Sequence, residues 1–286
     1  MLSTTTEIDL ERRGEVLWIS LNRPERLNAI TQVMARELLD TFAAMATYTT
    51  VRVIVLRGRG RGFCAGADIT RFSSGVRQTE ATEGRVHLPD VIQAMRRCPQ
   101  PIIALVHGPA CGGGFAFALA SDVRIAGPAA RMNDAFVNLG VSGCEMGVSY
   151  FLPRLIGLSI ASELMYTGRF IDADRALRVG LVSAVVPDHQ LEDAATELAN
   201  EMLAVAPLAL RKTKETLTRV LELRTLAEAL AVEDATQAEC IAGEDFDEGV
   251  RAFMEGRRPS FNALPPYTNG APVGSGPDDK VSEDAT

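Results

Sequence analysis

The sequence predicts an α/β protein built on a mostly parallel sheet and followed by a helical C-terminal region. Two patterns carry this. Through residue 126, short apolar runs alternate with amphipathic stretches, as in strand–helix–strand units whose strands run parallel. Residues 190 to 255 are almost wholly helical in pattern. A third observation marks the centre of the first part, the stretch Pro101 to Gly127, PIIALVHGPACGGGFAFALASDVRIAG. Ile102 to Val106 reads as a buried strand. A turn at His107-Gly108-Pro109 leads to Gly112, Gly113 and Gly114, and Phe115 to Ala120 is small and apolar enough for a tightly buried helix. Glycines between a strand and a helix let backbone approach closely and leave the first helical N–H groups unpaired. Those groups lie at the positive end of the helix dipole and can hold a developing anion. A plain tight strand-to-helix connection would read the same way.

The other elements follow in order. Thr6 to Leu10 and Val16 to Leu21 alternate as a strand pair turned at Arg13-Gly14. Residues 22–29 form a polar loop, and Thr31 can cap a helix with Met34, Leu38, Phe42 and Met45 on one stripe. Val51 to Leu56 is a strand, and Arg57 to Arg61 a turn. Residues 73–86 are polar and weakly patterned, as expected of a mobile loop. Leu88 to Arg97 is a helix, and Asp122 to Ala126 the strand after the central stretch. Short helices are expected at Gly147 to Ile156, Ser159 to Thr167 and Ile171 to Val179, the last ended by Gly180, then a strand at Leu181 to Val186. Pro207 and Gly243 break the helices that follow. The division expected is a core over 1–190, a helical region over 191–262, and a Pro/Gly/Ser/Asp-rich tail over 263–286 read as disordered.

Composition bounds the function. The chain has 286 residues, 47% hydrophobic and 23% charged, enough for a sizeable core. A net charge of -8 argues against a nucleic-acid partner, which needs a basic face. No apolar run is long enough for a membrane span, and the N-terminus has no signal-type apolar core. Five scattered cysteines without metal spacing read as reduced thiols in a cytoplasmic protein. Three histidines support neither a zinc site nor a nucleophilic triad.

Three stretches together resemble the crotonase (enoyl-CoA hydratase/isomerase) superfamily. They are Leu21-Asn22-Arg23-Pro24-Glu25-Arg26-Leu27-Asn28-Ala29, Phe63-Cys64-Ala65-Gly66-Ala67-Asp68-Ile69 and Gly112-Gly113-Gly114. Leu152-Pro153-Arg154-Leu155-Ile156-Gly157, Thr167-Gly168-Arg169, Gly180-Leu181-Val182 and Glu248-Gly249-Val250-Arg251-Ala252-Phe253 agree in order and spacing. The resemblance implies a spiral of ββα units with a C-terminal helical region that trimerises. It implies a homotrimer or hexamer, a coenzyme A thioester as substrate, and a place in fatty acid metabolism. It also implies that the Ala67 and Gly113 amides form an oxyanion hole for the thioester oxygen. CoA and acyl contacts then fall on Arg26, Leu27, Ala65, Asp68, Ile69, Gly112 and Phe136, with Phe253 and Arg257 near the nucleotide end of a neighbouring subunit. Arg26 and Arg257 also read as solvated surface arginines. Asp68 reads as a brace for the oxyanion loop, and Asp134 as structural.

The chain departs from the family at the residues that do chemistry. The two glutamates typical of hydratases would match Ala116 and Phe136, and neither residue can activate water or deliver a proton. Glu145, eight residues before Pro153, matches instead the acid of the peroxisomal type of 3-enoyl-CoA to 2-enoyl-CoA isomerase, and one aspartate of the dienoyl-CoA isomerases. Phe136, Met132 and Met146 are expected to desolvate it. Glu145 could equally brace the helix starting near Gly147. Three readings stand: a double-bond isomerase, an atypical hydratase with lyase chemistry, and an acyl-CoA-binding protein without catalysis. A proton shift between carbons needs no metal or redox cofactor.

Overall fold

The computed structural model describes residues 6–70 and 85–262. The loop expected over 73–86 therefore falls almost entirely outside the described residues, and the tail over 263–286 wholly so. In chain order the first elements are β1 (Ile8–Arg13), β2 (Val16–Leu21), α1 (Gln32–Met45), β3 (Val53–Gly58), α2 (Leu88–Arg97) and β4 (Ile102–Val106). Then come β5 (Pro109–Cys111), α3 (Gly113–Ala120), β6 (Val123–Ala126), β7 (Arg131–Asn133), α4 (Val148–Ile156) and α5 (Leu158–Thr167). The rest are β8 (Ile171–Asp172), α6 (Ala173–Arg178), β9 (Ala184–Val185), α7 (Leu191–Leu203), α8 (Pro207–Val220), α9 (Leu226–Ile241) and α10 (Glu244–Glu255).

β1 and β2 form an antiparallel hairpin, and from β2 onward the main sheet is parallel, in the order β1-β2-β3-β4-β6-β9. Parallel strands covered on both faces need continuous apolar runs rather than alternation, and Val53 to Leu56 and Ile102 to Val106 are fully buried. Successive side chains still divide between the faces. Ile54, Leu56, Ile102 and Ala104 join the larger core with α1, α2 and α3. Val53, Val55, Ile103 and Leu105 pack with Trp18 and with Leu191, Ala195 and Ala199 of α7. The helical region therefore begins as a layer of the sheet.

Local chemistry fixes the helices. Thr31 caps α1, its hydroxyl accepting from the Met34 amide at 3.1 Å, and Met34, Leu38, Phe42 and Met45 are buried as the periodicity predicts. Such a cap contributes about 1 kcal/mol. α8 is pinned by a buried cation. Lys214 Nζ lies 2.9 Å from the Asp122 carboxylate and donates to the carbonyls of Gln100 and Met95 at 2.7 and 3.2 Å. Burial pushes the Asp122 carboxyl up, but Lys214 and Arg96 outweigh it and hold the group below its usual range.

A second sheet, β5-β7-β8, is not foreseen by the sequence. Its strands have two or three residues, too short for a period-2 pattern to register. Ile171–Asp172 takes the first two positions of the expected helix, whose cap is Asp172, and the expected strand over 181–186 shrinks to Ala184–Val185.

Candidate active site

Three loops meet at the C-terminal ends of β2, β3 and β4. In the first, Asn28 is fully buried at φ 57. Its side-chain amide donates to the carbonyls of Arg59, Gly62 and Phe63, and its oxygen accepts from the Arg23 amide. This ties the 23–29 loop to the 59–69 loop. The Arg23 guanidinium adds a second tie, to the Ala29 carbonyl at 2.6 Å and to Asp68 at 3.2 Å. Hydrogen bonds from Thr70, with Arg23 beside it, hold the Asp68 carboxyl below its usual range. Asp68 thus ties the 59–69 loop to Arg23 of the 23–29 loop.

Two backbone amides are left over. The Ile30 amide donates to the Gly66 carbonyl at 2.7 Å, and the Asp68 amide to the Ile30 carbonyl at 3.0 Å. The Ala67 N–H between them has no acceptor among the described residues. Gly113 is the first residue of α3, and its N–H likewise has none. The loops that carry the two amides touch. A Cβ built on Gly66, which sits at φ +90, would lie 2.6 Å from the Cys111 carbonyl oxygen and 3.4 Å from the Gly113 nitrogen. One on Gly114 would lie 2.1 Å from the Cys64 carbonyl oxygen. Only glycine fits at these two places, and the fit sets the amides on adjoining loops.

Around the amides the structure places the other candidates. Leu27, at φ 50, accepts from the Ala65 amide at 2.9 Å, while Arg26 and Ile69 are exposed at the rim. The Phe136 ring comes within 3.6 Å of a Cβ position on Gly112. Ala116 is fully buried inside α3 and brings no acid to the site. Cys111 is pushed up to about 11 by burial, so it offers no thiolate. Phe253 and Arg257 stand apart from this cluster. Phe253 is 84% exposed on α10, and Arg257, just beyond it, is paired with Glu248 at 2.6 Å and with Glu255.

Glu145 follows the loop after β7. Its neighbour Met146 is held at φ 49, a left-handed conformation uncommon outside glycine. The Met146 sulfur is 3.2 Å from a Cβ position on Gly113, so the residue after Glu145 packs directly on Gly113. The expected desolvation of Glu145 is not found in this chain. Met132 and Met146 are buried and Phe136 is half-buried, but Glu145 itself is exposed. Nor does its side chain cap α4: Gly147 is the N-cap and no side chain bonds to it.

The sequence reading undervalued three residues. Arg23 gave no signal of its own, since an arginine in a polar loop does not mark a site, and Met146 is expected only as an apolar neighbour of Glu145, not as a contact of Gly113. Asp134 was visible only as an acid of structural type. It is fully buried, and neither carboxylate oxygen has a hydrogen-bond partner among the described residues. Burial pushes its carboxyl up to about 6, against the pull of the Phe136 amide.

A mostly parallel sheet whose loops bring two unpaired amides onto touching segments is the architecture of a crotonase fold. The enoyl-CoA hydratase/isomerase family model matches residues 11–263. The chain belongs to that family. It is 40% identical over 256 residues to "Probable enoyl-CoA hydratase EchA12" of Mycobacterium tuberculosis, covering 87% of this chain and 90% of that protein. It is 34% identical over 253 residues to a short-chain-enoyl-CoA hydratase of Clostridium acetobutylicum, covering 87% and 95%. The crystal structure of an enoyl-CoA hydratase from Bacillus anthracis superposes with a TM-score of 0.84 at 33% identity, covering 89% of this chain and 98% of that one. Among the described residues no helix is long and apolar enough to cross a membrane, and no group of His, Cys, Asp and Glu could hold a metal ion.

Proposed function

We propose that the protein is an acyl-CoA enzyme that moves the double bond of a 3-enoyl-CoA to the 2-position, with Glu145 as its single acid/base. The observation that carries this reading is the pair of unpaired amides on touching loops, with Glu145 one residue from the methionine that packs on Gly113. Removing a proton from C2 of a 3-enoyl thioester puts negative charge on the thioester oxygen. Ala67 and Gly113 N–H groups, fixed in advance, stabilise that charge without reorganising. Glu145 takes the C2 proton and returns it at C4, so one carboxylate closes the cycle and the charge is the same before and after.

Hydration would need more. A water must be held and activated on one face while a proton reaches carbon, and the positions expected to do this carry Ala116 and Phe136. The names of the relatives favour the second reading, an atypical hydratase. For that reading a further acid is required, and Asp134 is the remaining buried carboxyl close to Phe136. We further assign the rim residues Arg26, Leu27, Ala65, Ile69, Gly112 and Phe136 to CoA and acyl contact, a trimer or hexamer as the assembly, and the cytoplasm as the location. Purified protein assayed with a 3-enoyl-CoA and with a 2-enoyl-CoA, each repeated with Glu145→Gln, tests the choice. Isomerisation that collapses in the variant supports the reading, and hydration that survives it refutes it.

A further inference from the structure

Among the described residues, Asp134 is the one acid beside the site for which the proposed chemistry has no use. Its carboxylate is fully buried, neither oxygen makes a hydrogen bond among the described residues, and only the nearby Phe136 amide, and no charged side chain, pulls on it. Its surroundings are backbone. A Cβ built on Gly143 would lie 2.5 Å from Asp134 Oδ2 and 3.1 Å from the Met165 carbonyl oxygen, so both oxygens border the same point of the 140–147 segment. The Met165 carbonyl is in the last turn of α5. The Gly168 amide, which could reach it, donates instead to Leu164 at 2.9 Å, and the Arg169 amide turns to the Thr167 hydroxyl. Among the described residues it accepts no hydrogen bond. Both acceptors thus face one point without a donor, and an unmet buried polar group is costly. One proton relieves both, because a neutral carboxylic acid is a donor.

We propose that Asp134 is a positioning residue for Glu145: as the neutral acid it donates to the Met165 carbonyl and closes α5 against Gly143, fixing the segment that presents Glu145. The rest of that segment agrees. It leaves Gly143 through Cys144 and Glu145 to Met146 at φ 49 and Gly147 at φ 81, a path held by backbone conformation and without a side-chain cap. The titratable groups on the packed elements are Cys144 and Glu145, both exposed, and on α5 the exposed Tyr166 and Glu163, which is paired with Arg169 and Arg175. None ties up the Asp134 proton. Glycine at 143 is required for the same reason, since a side chain there would push the two oxygens apart.

The catalytic consequence rests on the isomerase reading, and the test separates the two. Infrared difference spectra of wild type minus Asp134→Asn at pH 5 should show a protonated-carboxyl band that fades as pH rises through about 6. Hydrogen exchange over 140–147 at pH 5.5 should be slow in wild type and in Asp134→Asn, whose amide can also donate. In Asp134→Ala it should be faster by about five- to tenfold, the ratio for one lost hydrogen bond. The 3-enoyl-CoA isomerisation rate should fall with exchange protection in Asp134→Ala and recover in Asp134→Asn. No band at pH 5, or unchanged exchange in Asp134→Ala, overturns the positioning role. A band and exchange that behave as stated, with no isomerisation in wild type, uphold the latch and sink the isomerase.

Discussion

A buried carboxyl without a cation makes the stability of this protein depend on pH in an unusual direction. Asp134 holds its proton to about 6 in the fold, against an ordinary value of 3.8. Between those values the folded state binds more protons than the unfolded one, so stability falls as pH rises. Below pH 4 both states are neutral and the group contributes nothing. Above pH 6 both are charged and the cost is complete, about 3 kcal/mol. Asp134→Asn should therefore match wild type in urea at pH 4 and exceed it by roughly that amount at pH 7.5. A variant weaker at both pH values would mean that the carboxylate has a partner. At the same scale, Gly66→Ala adds a Cβ where φ is +90 and the Cys111 carbonyl is 2.6 Å away. It should displace the Ala67 amide and lower turnover by about 10²–10³, the usual loss for one oxyanion donor, with circular dichroism unchanged.

At the scale of elements, two joints carry most of the consequence. The first is the Lys214–Asp122 pair that fixes α8 to the end of β4. Lys214→Ala leaves the half-buried Asp122 with Arg96 alone and removes donors from two carbonyls. Breaking such a pair from one side costs roughly 3 kcal/mol, which urea denaturation at neutral pH would read directly. The second is Arg23, which joins the 23–29 loop to Asp68 next to Ala67. Arg23→Ala should raise KM for an acyl-CoA more than it lowers kcat, because it loosens the rim and leaves the two amides in place. A drop in kcat alone would place Arg23 in the chemistry instead.

At the scale of the whole molecule, the C-terminal helices expose many large apolar side chains among the described residues. Leu226, Leu230, Phe246, Val250, Phe253 and Met254 all stand open on α9 and α10. Apolar surface of this extent marks an interaction face, and the family resemblance implies a trimer. Light scattering should give a mass that is a multiple of three times the 30.8 kDa chain. A monomer at micromolar concentration would remove that assembly and leave α9 and α10 without a function.

The same scale shows how far the sequence could be read. The strands of the main sheet were legible as long apolar runs such as Ile102–Val106, and α1, α2 and the helical character of 190–255 from periodicity, because burial on one face writes itself into the residue pattern. The two touching loops of the site were legible as glycines, since Gly66 and Gly114 stand where no other residue fits. The small β5-β7-β8 sheet was not, because two- and three-residue strands hold no period. Nor were the Arg23 tie, the Met146 contact with Gly113 or the isolation of Asp134, since each depends on which distant residue packs against it. The expected apolar enclosure of Glu145 failed for the same reason: hydrophobic neighbours in sequence point into the core while Glu145 points out.

The central claim is that one carboxylate and two amides shift a double bond. The most direct measurement follows the conversion of a 3-enoyl-CoA to its 2-enoyl isomer by purified wild type and by Glu145→Gln, with hydration of the 2-enoyl product recorded in the same samples. We expect isomerisation by wild type, a loss of about 10²–10⁴ in the variant as for a removed general acid/base, and negligible hydration by either. Hydration by wild type that persists in Glu145→Gln would contradict the account.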